Sequence, residues 1–281
     1  MDISIVLPVF NEEAFLEQSL TSLVTQTYPI KELIIVDDGS TDNSVQIAQG
    51  FVQKYPFIQL KLSNNTATHE PGQKVIHAFD RGFSALKHPF DVVCKFDADV
   101  VFPENYIEVL ANSFLQNPEL GMFGGVLQIE KNGLWMFESI AAESHLRGPI
   151  KAYHKNCFEA IGGLRPALGW DTLDELLALH HGFSVETDKN LVVKHLRPTG
   201  SNYSKRLSKA KGKMFYQFGY GCVLGVLASL KWAANERGNP IGALLGFFGA
   251  WLSKQPKLVS GSEAKFIRKQ RWLQIRRRFI S

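Results

Sequence analysis

Cysteine is scarce in this chain: Cys94, Cys157 and Cys222 stand far apart among 281 residues. With no CxxC pair and no zinc-type spacing, a disulfide scaffold and a structural zinc site are excluded, and a reduced, cytoplasmic setting is expected. Phosphate-cradling loops are missing too. No GxGxxG follows the first apolar run and no GxxxxGKS/T occurs anywhere, which removes the two common glycine-rich nucleotide-binding loops. The start of the chain has no basic segment followed by a signal-like apolar stretch, so export is not expected. Bilayer-spanning runs are also lacking. The uncharged stretches 214–230 and 240–253 hold 17 and 14 residues, against the roughly 20 a spanning helix needs. Acidic residues nearly vanish at the end: from Lys205 onward 16 Lys and Arg face only Glu236 and Glu263, a net of +14. The first 204 residues carry 15 basic against 25 acidic side chains, a net of −10.

What is present is a rhythm. Residues 3–9 read as a strand, 12–27 as a helix with Phe15, Leu16, Leu20, Leu23 and Val24 at helical spacing, and 32–36 as a second strand. A helix over 42–54, a strand over 58–62, a polar loop over 64–73 and a helix near 74–87 follow, then a buried strand over 92–97. Strand and helix alternating this way imply βαβ units in a mainly parallel sheet, with functional loops at the strands' C-terminal ends. Further on, the pattern predicts a helix over 104–115, a strand over 122–129, helices over 133–146 and 155–161, a helix begun by Asp171 as N-cap and ended at Gly182, and a strand over 191–193. At 45% apolar content a substantial core is affordable, and the charge split predicts a domain over 1–204 with a separate extension over 205–281.

Three of the strand ends carry polar clusters: Phe10-Asn11-Glu12, Asp37-Asp38-Gly39 and Asp97-Ala98-Asp99. Crossover geometry should bring them to one edge of the sheet, forming an acidic crevice. The carboxylates of Asp97 and Asp99 fit either a hard divalent cation shared with substrate phosphates or a strand-end turn capped by Asp.

Taken in order, Pro8-Val9-Phe10-Asn11-Glu12-Glu13, Val36-Asp37-Asp38-Gly39-Ser40-Thr41-Asp42 and Phe96-Asp97-Ala98-Asp99 resemble the family 2 glycosyltransferases with the GT-A fold, over residues 3 to about 200. The resemblance implies a nucleotide-activated sugar donor, most naturally a UDP-sugar, with Mg²⁺ or Mn²⁺ as cofactor and a glycan or lipid-linked acceptor. It implies that Pro8, Phe10, Asn11, Glu12 and Asp38 hold the base and ribose, that Asp97 faces ribose or metal, and that Asp99 ligates the metal. His195 matches a histidine that ligates the metal or meets the diphosphate; an ordinary strand-end histidine is the other reading. Lys74, Arg147 and Lys151 are candidate contacts to the diphosphate or acceptor. The catalytic base of the family is an Asp at a helix start preceded by Glu. Here Trp170 takes the Glu position, Asp171 is the expected base and Asp174 the alternative, in a stretch that resembles a bacterial branch of the family. The resemblance implies an inverting transferase; a nucleotidyltransferase or a non-catalytic scaffold on the same fold are the competing readings.

The basic extension lies outside that resemblance. Its uncharged stretches, flanked by Lys and Arg, predict helices lying in a membrane surface on the inner face of the cell membrane. A helical subdomain with merely solvated charges is the alternative. Nucleic acid is not expected, because no RNA-binding signature accompanies the charge.

Overall fold

The structure, a computed structural model, describes residues 1–63, 72–138, 145–197, 206–235 and 238–280. The chain divides into two compact units, one of residues 1–166 and 181–199, the other of 167–180 and 200–281.

The first unit is built on β1 (Ile3–Val9), β2 (Glu32–Asp37), β3 (Ile58–Leu62) and β4 (Val92–Phe96), which pair in parallel in the order β3-β2-β1-β4. Their connections are α1 (Leu16–Val24), α2 (Ser44–Lys54) and α3 (Gln73–Phe83). Both strands are mostly apolar and buried at nearly every position, Ser4, Glu32 and Asp37 included, which reflects burial on both faces, as parallel strands require. Helix α3 lies close on this sheet because Gly82 has no Cβ; one would stand 2.4 Å from Val6 Cγ1. All four strands therefore end at one edge, where the three polar clusters follow.

The rest of this unit makes the sheet mixed. β5 (Val100–Val101), α4 (Tyr106–Gln116), β6 (Leu120–Lys131), β7 (Leu134–Phe137), β8 (Ile150–His154), α5 (Lys155–Ala160) and β9 (Ser184–His195) extend the order to β4-β8-β6-β9-β5, with β7 beside β6. The α/β sheet flanked by helices agrees with the expected fold class. The helix expected over 133–146 is a correction. Asn132 and Gly133 both take positive φ, 54° and 78°, the Asn-Gly hairpin geometry, and residues 134–137 return antiparallel to β6. Leu134-Trp135-Met136-Phe137 is apolar throughout, so its exposed and half-buried positions alternate without a polar mark. Residues 139–144 of that stretch lie outside the described residues. β8, unassigned from sequence, is a buried strand between β4 and β6.

The second unit is helical: α6 (Trp170–His180), α7 (Arg206–Gln217), α8 (Cys222–Asn235), α9 (Pro240–Leu252) and α10 (Gly261–Ile280). Asp171 is not the N-cap of α6. Gly169, at φ 73°, offers its carbonyl to the N–H groups of Thr172 and Leu173, which puts Asp171 inside the first turn. α7 and α9 cross at backbone contact: a Cβ on Gly212 would stand 1.7 Å from the Ala243 carbonyl oxygen, and one on Gly246 2.0 Å from that of Lys209. α8 packs Gly225 against the Phe247 ring of α9. His180 of α6 meets the Phe266 ring of α10 at 5.2 Å.

Candidate active site

The sheet edge opens into a cavity of about 360 Å³ lined by Pro8, Phe10, Glu12, Asp38, Lys74, Asp97, Asp99 and Arg197, among others. Seven expected site residues thus meet at one place. Asn11 stands behind the lining. It holds φ 55° and its Oδ1 accepts the Thr41 N–H at 2.8 Å, tying the loop after β1 to the loop after β2. The Glu12 N–H reinforces that tie by donating to Ser44 Oγ at 2.8 Å.

Asp38, Asp97 and Glu12 of the lining are each paired with a Lys or Arg side chain. Asp37, just before the lining, folds back so that its Oδ2 accepts the N–H groups of Gly39 and Ser40 at 3.1 Å each, shaping the turn that presents Asp38. Asp38 is 3% exposed, bound by the Arg81 guanidinium and 3.3 Å from Lys74 Nζ. Lys74 in turn lies over the Phe10 ring, 3.4 Å from its centroid. Asp97 is bound by Lys95, two residues back on the same face of β4. Lys95 is itself 1% exposed and also donates to the Gly148 carbonyl at 3.3 Å. Glu12 accepts from Arg197 at 2.5 Å. Burial, and then the Asp99 and Asp97 carboxylates, still push Glu12 up to about 7 against the opposing pull of Arg197.

Asp99 is different. It faces His195, with Oδ1 3.7 Å from Nε2. The two come together because Val100 pairs with His195 where β5 meets β9, and the Leu196 N–H donates to the Asp99 carbonyl at 2.9 Å. On the other side of the ring His195 Nδ1 is hydrogen-bonded to Glu138 Oε2 at 3.2 Å, and Glu138 is paired with Arg147 at 3.1 Å. Burial lowers the affinity of His195 for its proton, but the two flanking carboxylates override it and raise the value to about 9.

This donor set fits a divalent cation. Two ligand atoms on one ion at about 2.1 Å each lie up to about 4 Å apart, so Asp99 and His195 need little movement to share it. The Glu138 carboxylate on the far ring nitrogen is the arrangement that orients metal-ligating histidines. No group of three such side chains converges among the described residues.

Sequence reasoning missed Arg81, Lys95, Glu138 and Arg197 as site residues. Lys95, a lysine in an otherwise apolar strand two residues before Asp97, was the available signal. Arg147, expected at the diphosphate or acceptor, is paired with Glu138. Lys151 is a fully buried residue of β8, opposite Lys95. The candidate bases Asp171 and Asp174 belong to α6 in the second unit; Asp171 is half-buried, and Asp174 is 3% exposed with its Oδ1 accepting the Glu175 N–H at 2.7 Å.

Residues 4–165, more than half of the chain, match the family described as Glycosyl transferase family 2. Over 125 residues the chain is 30% identical to the poly-beta-1,6-N-acetyl-D-glucosamine synthase of Staphylococcus epidermidis, a match covering 44% of this chain and 28% of that protein. The chain spans less than half the length of the curated relatives it matches. Among solved structures it resembles the mannosyltransferase PcManGT from Pyrobaculum calidifontis in complex with GDP-Man and Mn²⁺, with 18% identity and a TM-score of 0.56 over 95% of this chain and 84% of that one. It also resembles residues 1–349 of S. aureus TarS in complex with UDP-GlcNAc, with 18% identity and a TM-score of 0.58 over 90% of this chain and 73% of that one. At these identities the likeness is one of fold, and the fold is GT-A.

Proposed function

The chain belongs to glycosyl transferase family 2, and on that premise we propose that it moves a sugar from a UDP-sugar to a hydroxyl of a glycan or lipid-linked acceptor, with inversion. The observation that carries this reading is the convergence of three polar strand ends on one cavity, where Asp38, Asp97 and Glu12 are paired with Arg81, Lys95 and Arg197 while Asp99 faces the histidine His195.

In this reading Asp38 accepts an N–H of the base, as its buried, Arg81-bound carboxylate is fixed to do. Phe10, 44% exposed, offers its ring to the base once Lys74 turns toward the diphosphate. Asp97, held by Lys95, faces the ribose. Asp99 and His195 are the residues that would hold Mg²⁺ or Mn²⁺, which when bound neutralises the leaving diphosphate. Across the sugar, the carboxylate of Asp171 takes the proton of the acceptor hydroxyl as its oxygen bonds to C1. The C1–O bond to phosphate breaks, its electron pair leaves with UDP, and a single displacement inverts C1. Asp171 is preferred over Asp174 because the latter is buried. Trp170 stands where the family carries Glu, so Asp171 acts without that neighbour. A nucleotidyltransferase is disfavoured, since the loop after β1 offers Glu12 where that chemistry wants glycines and a cation.

The test is release of UDP from a panel of UDP-sugars with and without Mn²⁺. One donor should be turned over in the presence of the ion, and Asp99→Ala should lower kcat/KM by at least 10²-fold. Full activity of that variant without added metal would overturn the reading.

A further inference from the structure

The second unit carries surface features that the donor site does not use. α9 has no charged residue, and Ile241, Leu245 and Leu252 stand exposed at 67, 63 and 72%, on one side at helical spacing. Its neighbour α8 exposes Val223, Leu227 and Leu230, again one turn apart. Trp251 is half exposed at the end of α9. Soluble helices normally bury such stripes. At 13 residues α9 is about 20 Å long, short of the roughly 30 Å hydrocarbon layer, and no helix among the described residues is long and apolar enough to cross a membrane.

The surroundings of the stripe are basic. Exposed Lys254 and Lys257 follow α9 directly. Between α7 and α9 lies a cavity of about 370 Å³ lined by Lys209 and Lys213, one helical turn apart, with Gly246, Gly249, Ala250 and Gln255. Gly249 continues the line of Ile241, Leu245 and Leu252, so the cavity opens beside the apolar stripe. α10 adds exposed Lys265, Lys269, Arg276 and Arg277 together with exposed Trp272 and Leu273.

We infer that α8 and α9 lie in the plane of an anionic lipid surface, with their apolar stripes at the acyl boundary and a lipid phosphate taken between Lys209 and Lys213. An apolar stripe alone would fit many occupants. Two lysines beside it, exposed tryptophans and a surrounding excess of cations fit the boundary between phosphate headgroups and acyl chains. A second copy of this chain is a poorer occupant, since its own cations would meet the same cations. The inference stands on the second unit alone and does not depend on the donor chemistry.

The experiment is co-sedimentation of the full chain with vesicles of phosphatidylglycerol mixed with phosphatidylcholine, and with phosphatidylcholine alone. The chain is expected to sediment with the anionic vesicles, to be released by high salt, and to bind neutral vesicles at least tenfold more weakly. Leu245→Glu/Leu252→Glu and Lys209→Glu/Lys213→Glu should each lower the partition coefficient at least tenfold, while the thermal melting midpoint stays close to that of the wild type. All the changed side chains of the first variant are exposed, so its circular dichroism should match the wild type. A wild type that stays in the supernatant, or a Leu245→Glu/Leu252→Glu variant that binds as well as wild type, overturns the inference. So does a wild-type dimer that this variant dissolves in the absence of any vesicle binding.

Discussion

Glu12 is the side chain whose charge the site strains most. Its folded value near 7 against an ordinary 4.5 means the folded state keeps a proton that the unfolded chain has released. Stability contributed through this group is therefore greatest below about pH 4.5, declines as pH rises toward 7, and stays lower above. Glu12→Gln should flatten that decline and gain on the order of 1 kcal/mol at pH 8 in donor-free protein. Denaturant melts at pH 5 and pH 8 would measure it, and an identical decline in both proteins would contradict it. Of the residues lining the cavity, those at the ends of β1, β2 and β4 were legible in the sequence, because a parallel sheet brings the polar clusters that close three of its strands to one edge. Lys95, Glu138 and Arg197 were not legible as partners. An ion pair across the fold, such as Arg197 with Glu12, leaves no trace in local spacing.

At the level of elements, the βαβ rhythm of the first 97 residues could be read directly, since burial on both faces makes β1, β2 and β4 mostly apolar runs bounded by turn residues. The second half resisted for a physical reason. Leu134-Trp135-Met136-Phe137 is apolar on both sides of a half-exposed strand, so neither period stands out, and the Asn132-Gly133 turn carried the better signal. Close helix crossing is likewise invisible until two glycines face each other's backbones. Gly246→Ala is expected to destabilise the protein by about 1–3 kcal/mol, because its methyl group would stand 2.0 Å from the Lys209 carbonyl oxygen. Gly249→Ala, with nothing within 4 Å, should be neutral or gain up to about 1 kcal/mol from helix propensity. Thermal melts of the pair decide it: equal midpoints would mean that α7 and α9 do not touch there.

On the scale of the molecule, the charge split that separates residues 1–204 from 205–281 is real, yet α6 sorts with the basic helices. Trp170, Leu173 and Leu177 of α6 are buried, and α10 packs on that helix. Composition could not show this, because α6 is itself acidic. A fragment of residues 1–204 should consequently expose the apolar face of α6. It is expected to bind the dye ANS and melt less cooperatively than the full chain, and a fragment that melts as sharply without binding dye would contradict the grouping.

The two-residue pairing of β5 with β9 has a consequence for cohesion. It sets an aspartate from the middle of the first unit beside a histidine from its last strand. A cation shared by the two would act as a clasp, fastening the end of the unit to its central edge and adding its binding free energy to that of folding. Opening the clasp would loosen β9 together with the Arg197 that follows it, so that occupancy by the ion and the grip on Glu12 rise and fall as one.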